Sequence, residues 1–368
     1  MREAINRPTQ MTVDLKAVVH NAREILNWTG AKNLIAVLKA DAYGVGSIQV
    51  AQALETEKLL YKIAVSNLDE AYELRNAGID TPIWIFGAHD YSYLNQFTEN
   101  DFEITVGHLE WLENLPELSH TLKIQLAVDT GMGRIGFQNK VDLNKAVEII
   151  EQNPKLGLSG IYTHFATADS SDSTYFNQQV DTWHDLTDEL EIPDELKTLA
   201  NSPASIWHRD ADISLRTIRL GYLLYGFNPS DNLLEMPSGL NLKPALKLTT
   251  QISDIRQLKK GQSISYGATY TASADITVAT IPIGYADGWR RSEQNANVYI
   301  DGKSYPIIGR VTMDYTLIKV DQSIELNQEV ILVDNIHGLE QRATENQTIG
   351  YEVLTGLSPR IKRIYLGD

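Results

Sequence analysis

Short apolar runs alternate with helical segments from about residue 11 to residue 230 of this 368-residue chain. A continuous apolar run is typical of a strand buried on both faces, and the segments between the runs repeat apolar residues at helical spacing. Eight strands that alternate with helices predict a (β/α)8 barrel of the TIM type, preceded by a helix over 15–28. The eight runs are 33–38, 61–66, 82–86, 102–106, 122–128, 157–163, 196–200 and 214–220.

The pattern changes after about Pro237, where strand-like stretches follow one another without long helices between them. An Asp301-Gly302 pair separates two of them and is a hairpin turn signal. The chain is therefore predicted to be an α/β protein with a barrel domain over 1–237, a mainly β domain over 238–368, and residues 1 to about 10 able to pack against the second domain. The predicted strands of that domain are 246–257, 276–282, 297–300, 303–306, 316–320 and 329–332.

The charge balance is acidic, with 32 Lys and Arg against 48 Asp and Glu and a net charge of −16. This balance argues against a nucleic-acid partner and against binding to anionic membranes. We find no apolar segment of membrane-spanning length and no apolar run of a signal peptide near the N-terminus, so a cytoplasmic protein is expected. The chain has no cysteine, which excludes disulfides and thiolate metal ligands, and no metal site is predicted.

Lys39 stands where the first apolar run ends and a turn rich in glycine and alanine begins. Burial disfavours a charged ammonium, so a lysine at the carboxyl end of such a strand is expected to have a lowered pKa. Only the neutral amine attacks a carbonyl, which makes Lys39 a candidate Schiff-base lysine. On this segment alone, the alternative is a surface lysine at the end of a strand.

The segments after the seventh and eighth runs lie where TIM barrels often bind phosphate. Asn201 and Ser202 offer side-chain hydrogen bonds, and Gly221 lets a phosphate approach the backbone closely. Asn and Ser also cap helices, so an ordinary capped loop is the alternative. Together with Lys39 and Tyr43 at the same end of the barrel, these residues suit a cofactor that carries an aldehyde and a phosphate, which is pyridoxal phosphate.

Other segments carry weaker signals. His164 follows the sixth strand and could stack on an aromatic ring, although a lone histidine is more often structural. A glycine-rich loop surrounds Arg134 but is not a nucleotide-binding fingerprint. In the β domain, the segments 265–270, 284–289 and 309–314 combine glycine with aromatic or polar residues, and composition alone leaves them as core or turn residues.

Taken in order, several motifs resemble those of the alanine racemases, which are pyridoxal-phosphate enzymes with an N-terminal barrel and a C-terminal β domain. The resemblance covers about residues 9–363, and the joint order of the motifs is highly specific. The motifs are AVLKADAYGVG, VDTGMGRIG, GIYTHFATAD, ANS, RLGYLLYG, SYGATYTA, GYADGWRR, GRVTMD and YEVLTGLSPRI.

The resemblance implies roles for the matching residues. Lys39 would hold the aldehyde of pyridoxal phosphate and then act as one base, and Tyr266 of the partner subunit would be the second base. Arg219 would face the pyridine nitrogen, and His164 would lie against the ring. The residues expected around the phosphate are Tyr43, Ser202, Gly221, Tyr222 and Tyr351, with Asn201 supporting Arg219.

The resemblance also implies the substrate, the assembly and the pathway. Arg134 would touch the cofactor's phenolic oxygen or the substrate carboxylate, and the Met313 backbone, next to Asp314, would bind that carboxylate. A base donated by the other subunit requires a homodimer with shared active sites. The implied reaction interconverts L-alanine and D-alanine and supplies D-alanine for peptidoglycan. The entrance would be lined by Tyr285, Arg291 and Arg310.

The sequence departs from the family pattern at a few positions. Ala127 stands where many members carry a carbamylated lysine that bridges to the arginine, so an anion such as chloride is an alternative partner for Arg134. Tyr222 replaces a smaller aliphatic residue, and only its backbone N–H is expected to bind the cofactor. Thr312 and Tyr315 replace Cys and Gln beside the pocket, which makes alanine specificity less certain than the type of reaction.

Three alternatives follow from these departures and from the barrel itself. A racemase for another small amino acid, such as serine, is compatible with Thr312 and Tyr315, because an apolar site rejects one extra hydroxyl poorly. A barrel decarboxylase with the same cofactor would take a cysteine from its partner subunit, and this chain has none. A non-catalytic carrier of pyridoxal phosphate would resemble the barrel alone and would not need Tyr266.

Overall fold

The computed structural model describes residues 3–87, 89–334 and 339–367 and confirms the predicted barrel. The first strand, β1 (Gln10–Asp14), lies outside the barrel, and the barrel sheet consists of β2 to β9. All eight strands run parallel, in the order β8-β7-β6-β5-β4-β3-β2-β9. Their bounds are Asn33–Val37, Leu60–Val65, Ile83–Ile85, Glu103–Val106, Leu122–Ala127, Leu156–Tyr162, Lys197–Thr198 and Thr217–Leu220.

Helices connect the barrel strands, and α1, α4, α7 and α9 begin at an Asp or Asn side chain that caps the first turn. The Asp14 side chain accepts a hydrogen bond from the Ala17 N–H and caps α1, which ends at Gly30 in a left-handed conformation. Among the described residues, no helix is both long enough and apolar enough to cross a membrane. The helices α1 to α9 are Leu15–Thr29, Lys39–Gly44, Ser47–Thr56, Leu68–Asn76, Leu94–Glu99, Leu109–Glu113, Lys140–Gln152, Thr174–Thr187 and Ser202–Trp207.

The barrel interior contains an ion pair among its apolar side chains. The ammonium of Lys62 on β3 lies 2.7 Å from a carboxylate oxygen of Glu103 on β5, and both residues are buried. The Gln125 amide on β6 donates to the same Glu103 oxygen at 2.6 Å. A buried charge needs such partners, because removal from water disfavours it strongly.

In the described residues of the second domain, β1 and β10 to β19 form three sheets. The largest has the order β16-β15-β18-β10-β1-β19, and smaller sheets are formed by β11-β14-β17 and β12-β13. The predicted hairpin at Asp301-Gly302 is confirmed, since Ile300 pairs with Lys303 across it. Strands β10 to β19 are Leu246–Gln251, Asp254–Leu258, Ser263–Ile264, Tyr270–Thr271, Ile276–Ile281, Asn297–Ile300, Lys303–Pro306, Thr316–Val320, Glu329–Val333 and Lys362–Leu366.

The prediction of one strand over 246–257 is wrong, because the chain leaves one sheet and joins another at Ile252 and Ser253. The Ile252 N–H donates to Gln328, whereas the Ser253 N–H donates to Thr280. Two short helices near the C-terminus, α10 (Leu339–Glu345) and α11 (Gly350–Thr355), were not predicted. β1 pairs with β10 and with β19, so the chain begins in the second domain before it enters the barrel.

Candidate active site

Lys39 lies just after the first barrel strand, at the start of α2, which is a left-handed turn and not a regular α-helix. The four residues Ala40–Tyr43 have φ values of 53°, 53°, 53° and 63°, which is the left-handed region. Each such residue costs roughly 1–2 kcal/mol for an L-amino acid, so the surrounding contacts must hold the turn. One carboxylate does part of this, since the Glu70 oxygens accept the Ala40 N–H at 2.9 Å and the Ser66 N–H at 2.7 Å.

A cavity of about 930 Å³ opens at this end of the barrel, and all of the predicted cofactor residues line it. It also contains residues that the sequence did not single out, among them Phe86, Tyr162, Asp169 and Glu352. The predicted residues that line it are Lys39, Tyr43, Arg134, His164, Asn201, Ser202, Arg219, Gly221, Tyr222 and Tyr351.

The Lys39 amine is the group best suited to attack a carbonyl in this cavity. Burial lowers the pKa of Lys39, the charge of Arg134 lowers it further, and the Glu70 carboxylate raises it in part. A lowered pKa increases the neutral, nucleophilic fraction of the amine near neutral pH. Arg134, for its part, forms no hydrogen bond or ion pair within the described residues, so its charge acts on the cavity.

Arg219 is buried and is held by backbone carbonyls. Its guanidinium donates to the Thr198 carbonyl at 2.6 Å, to the Thr163 carbonyl at 2.7 Å and to the Leu199 carbonyl at 3.1 Å. Burial lowers the pKa of Arg219 to about 10, so the group stays protonated at neutral pH. Within the described residues Asn201 forms no hydrogen bond with Arg219: its amide donates to the Phe165 carbonyl, and its oxygen accepts the Ala204 N–H.

His164 is neutral at physiological pH. Burial, followed by the charges of Arg219, Arg134 and Lys39, lowers the pKa of His164 to about 3. His164 therefore carries no positive charge that could stabilise a nearby phenolate. Its ring remains available for packing against an aromatic ligand.

The ring resonances of His164 are expected to stay constant between about pH 5 and 8. His184 is an internal control, because its hydrogen bond with Asp188 raises the pKa of His184 above the usual value. Its resonances should shift across the same range. Nuclear magnetic resonance of ring-labelled histidines would check this, and a His164 signal that titrates near neutral pH would contradict it.

One part of the cavity is lined by hydroxyl groups. The Tyr43 ring packs against Gly221 so closely that a Cβ there would lie 2.2 Å from the Tyr43 hydroxyl oxygen. The Ser202 hydroxyl accepts the Gly221 N–H at 3.3 Å. Within the part of the chain that is described, the Tyr43 hydroxyl has no hydrogen-bond partner, so it can donate to a ligand.

These observations fit pyridoxal phosphate. The cavity holds a lysine with a lowered pKa for the aldehyde, and it offers the hydroxyls of Tyr43 and Ser202 for the phosphate, with the Tyr351 ring beside Tyr43. Arg134 adds an unpaired cation that suits an anionic ligand. The donor set is therefore complementary to both ends of the cofactor.

The remaining predicted residues do not line this cavity. Tyr266, Tyr285 and Met313 project from the β domain, with 72%, 43% and 53% of their surface exposed. Hydrogen bonds connect the segments that carry them, since the Tyr285 N–H donates to Thr312 and the Ala286 N–H donates to Met313, both at 3.0 Å. The structure thus divides the predicted residues between the barrel cavity and the β-domain surface.

The loop that carries Tyr266 is joined to the same surface. The Ser265 hydroxyl donates to the Arg310 carbonyl at 2.7 Å and accepts the Arg310 N–H at 3.1 Å. Arg291 is exposed on a short helix, Arg291–Asn295. Among the described residues, no hydrogen bond or ion pair joins Arg291 to the loop that carries Tyr266.

A charged network that the sequence did not suggest supports the adjacent turns. Arg7 donates to the buried Asp287 at 2.8 Å and to the Asp314 carbonyl at 3.0 Å, and Arg360 binds the Asp314 carboxylate at 2.8 Å. Arg7 and Arg360 come from opposite ends of the chain, so no local pattern could have revealed the network. Glu70 had a local signal, because Asn67-x-x-Glu70 matches a capping box, but its carboxylate supports the Lys39 turn instead.

The fold and the site together define an amino-acid racemase with a barrel and a β domain. Two family models match the chain, the N-terminal domain of alanine racemase over residues 13–229 and the C-terminal domain over residues 245–365. The chain belongs to the alanine racemase family, which depends on pyridoxal phosphate.

Relatives match over nearly the whole chain. An alanine racemase of Streptococcus suis is 39% identical over 99% of this chain and 100% of its own length, and one of Limosilactobacillus reuteri is 40% identical over 98% and 97%. The crystal structure of alanine racemase from E. faecalis superposes with a TM-score of 0.93 at 36% identity, covering 99% of this chain and 100% of that one. A histidine racemase from Leuconostoc mesenteroides has a TM-score of 0.90 at 32% identity and covers 100% of both chains.

Proposed function

We propose that this chain interconverts L-alanine and D-alanine with two bases, Lys39 and Tyr266 of the partner subunit. The observation that carries the proposal is the division of the predicted residues. Lys39 lines the barrel cavity, whereas Tyr266 does not line it and is 72% exposed on the β domain. A homodimer in which each β domain faces the other subunit's cavity would complete two sites at once.

The cofactor would be held by residues of one subunit. Lys39 would bind its aldehyde end, and Tyr43, Ser202 and Tyr351 would bind its phosphate. When bound, pyridoxal phosphate withdraws electrons from the substrate α-carbon and so acidifies the α-proton. Arg219 would donate a hydrogen bond towards the ring nitrogen, because a protonated guanidinium has no acceptor to offer.

The two bases would serve opposite faces of the α-carbon. Racemisation removes a proton from one face and returns a proton to the other, so bases on both faces avoid any reorientation of the substrate. The Lys39 amine has a lowered pKa and can accept a proton near neutral pH. The Tyr266 hydroxyl of the partner subunit would act from the other face.

Mixing two inactive variants would test the shared site. When Lys39→Ala and Tyr266→Phe subunits are co-expressed in equal amounts, half of the dimers should be mixed, and each should have one intact site of two. Activity should then return to about one quarter of wild type. In the matched control, Lys39→Ala is co-expressed with the double variant Lys39→Ala/Tyr266→Phe, so that no dimer contains an intact site. Activity that stays at the sum of the separate variants would contradict sharing.

A second candidate is the racemisation of a larger or more polar amino acid. The similarity to a histidine racemase and the cavity of about 930 Å³ support it. The Thr312 hydroxyl, which replaces a cysteine, donates to the Tyr315 carbonyl at 2.9 Å and so shapes the turn beside Met313. Values of kcat/KM for alanine, serine and histidine would discriminate, since selectivity is a ratio of these values.

The proposed role is supply of D-alanine for peptidoglycan in the cytoplasm, and it rests on the family resemblance. Expression of the chain in a strain that requires D-alanine should restore growth without the supplement. Growth that still requires D-alanine, despite racemase activity in the extract, would point to a catabolic role.

A further inference from the structure

Tyr351 belongs to the second domain but lies in the barrel cavity. It is carried by the six-residue helix α11 (Gly350–Thr355), which also brings Glu352 and Thr355 to the cavity. The Tyr351 ring meets the Tyr43 ring edge to face, with centroids 6.1 Å apart and an interplanar angle of 62°. Such a short helix cannot fix a side chain by itself, so contacts with the barrel must do so.

The main contact is an aromatic stack on Tyr222. The rings of Tyr222 and Tyr351 lie 4.0 Å apart with an interplanar angle of 21°. Tyr222 stacks in turn on Phe227, at 5.2 Å and 27°, and both Tyr222 and Phe227 are only 2% exposed. Both residues follow β9 in the barrel, so they form a rigid aromatic wall behind Tyr351.

The beginning of α11 fits the same wall. A Cβ at Gly350 would lie 2.2 Å from the Tyr222 hydroxyl oxygen and 2.9 Å from an Asp231 carboxylate oxygen, so the close fit requires glycine. The Gly350 N–H donates to Asp231 at 2.9 Å, and the Tyr351 hydroxyl donates to the Pro229 carbonyl at 3.4 Å. The loop that follows β9 therefore hydrogen-bonds to both Gly350 and Tyr351.

We infer that the side chain of Tyr222 is a positioning residue, which holds Tyr351 at the phosphate end of the cavity and so determines how tightly the cofactor's phosphate is retained. The inference rests on the proposed function, because it assumes that Tyr43 and Tyr351 face the phosphate. It concerns the ring of Tyr222, whereas the family resemblance assigns a role only to its backbone N–H. Tyr222 acts through Tyr351 and does not touch the reacting atoms.

Comparing two ligands isolates the phosphate end. Dissociation constants of pyridoxal phosphate and of pyridoxal, which lacks the phosphate, would be measured on the apo-protein by tryptophan fluorescence. Tyr222→Leu should weaken binding of pyridoxal phosphate about tenfold, since the stack is lost, and should change binding of pyridoxal less than about twofold. Tyr222→Phe keeps the ring and should restore the wild-type ratio of the two constants.

A double-mutant cycle tests whether Tyr222 acts through Tyr351. If it does, Tyr222→Leu should add little to the loss caused by Tyr351→Leu, because residues in one network are not additive. Phe227→Leu removes the second layer of the wall and should weaken pyridoxal phosphate in the same direction but less. This variant keeps the inference testable if Tyr222→Leu does not fold.

Two outcomes would overturn the inference. One is equal weakening of pyridoxal and pyridoxal phosphate by Tyr222→Leu, which would indicate a general structural defect. The other is full additivity with Tyr351→Leu. In either case a wild-type chain that binds pyridoxal phosphate and racemises alanine leaves the proposed function intact. A wild-type chain that does not bind pyridoxal phosphate would overturn both.

Discussion

Tyr266→Phe is expected to lower the rate of alanine racemisation by roughly 10²–10⁴-fold, because phenylalanine keeps the ring but cannot transfer a proton. The loss should be directional. We expect Tyr266 to remove the α-proton of L-alanine and Lys39 that of D-alanine, so exchange in heavy water should be lost selectively when the reaction starts from L-alanine. Exchange from D-alanine should persist, because Lys39 can remove and return a proton on its own face.

The structure indicates that this substitution is a clean probe. The Tyr266 ring is 72% exposed within the subunit, so its hydroxyl contributes little to packing there. The loop is held at Ser265, whose hydroxyl donates to the Arg310 carbonyl and accepts the Arg310 N–H. Ser265 and Gly267 have φ values of 66° and 75°, and neither conformation depends on the Tyr266 hydroxyl.

Proton exchange of each enantiomer, followed by nuclear magnetic resonance, measures the effect. Tyr270→Phe, in the hairpin strand just after this loop, is the matched control and should behave as wild type. If Tyr266→Phe exchanges the α-proton of L-alanine at the wild-type rate, Tyr266 is not a base in the reaction. If the wild-type protein binds the cofactor but exchanges no α-proton of alanine, alanine is not the substrate.

Arg219→Glu should give the second large effect, an increase in transamination relative to racemisation. The pKa of Arg219 is lowered to about 10, but the guanidinium still keeps its protons at neutral pH and cannot protonate the ring nitrogen of the cofactor. A carboxylate in its place would favour a protonated nitrogen and stronger electron withdrawal. Stronger electron withdrawal by the bound cofactor would make return of the proton to the substrate α-carbon less selective, which would favour transamination.

The same substitution should also destabilise the barrel. Arg219 donates to the carbonyls of Thr198, Thr163 and Leu199, and a buried glutamate would meet those oxygens with negative charge. We expect the free energy of unfolding to fall by about 3–5 kcal/mol, as when one partner of a buried charged network is removed. Denaturant titration of the apo-protein would measure this loss.

Two controls separate chemistry from stability. Arg219→Lys keeps a positive charge and should show little transamination. Ile218→Ala, at the neighbouring buried position on β9, should lose about 2–5 kcal/mol without changing the ratio of the two reactions. If Arg219→Glu shows no rise in transamination under conditions where it is folded, the assigned role of Arg219 is wrong.

Local sequence patterns were enough to predict the barrel. The run 33–38 corresponds to β2, and 122–128 corresponds to β6, each within one residue at either end. Such runs are readable because a strand buried on both faces must be apolar along its whole length. The exceptions are informative, since Lys62 and Glu103 lie within predicted strands and are buried only because each neutralises the other.

In the second domain, local pattern predicted strands but not their sheets. The stretch 246–257 is uniformly strand-like, and only contacts with Gln328 and Thr280 divide it between two sheets. β1 joins β10 and β19 across most of the length of the chain. Pairing of this kind depends on the packing of distant segments, which no local window contains.

By itself, the sequence determined the barrel, the place of Lys39 at the end of its first strand and, through the order of its motifs, the membership of the alanine racemase family. Only the tertiary structure decided the environment of each group. It made His164 neutral, joined Arg219 to backbone carbonyls, stacked Tyr351 on Tyr222 and left Tyr266 on the surface of the β domain. The reason is physical: residue type sets what a side chain can do, whereas burial and neighbours brought from distant segments set its charge and position.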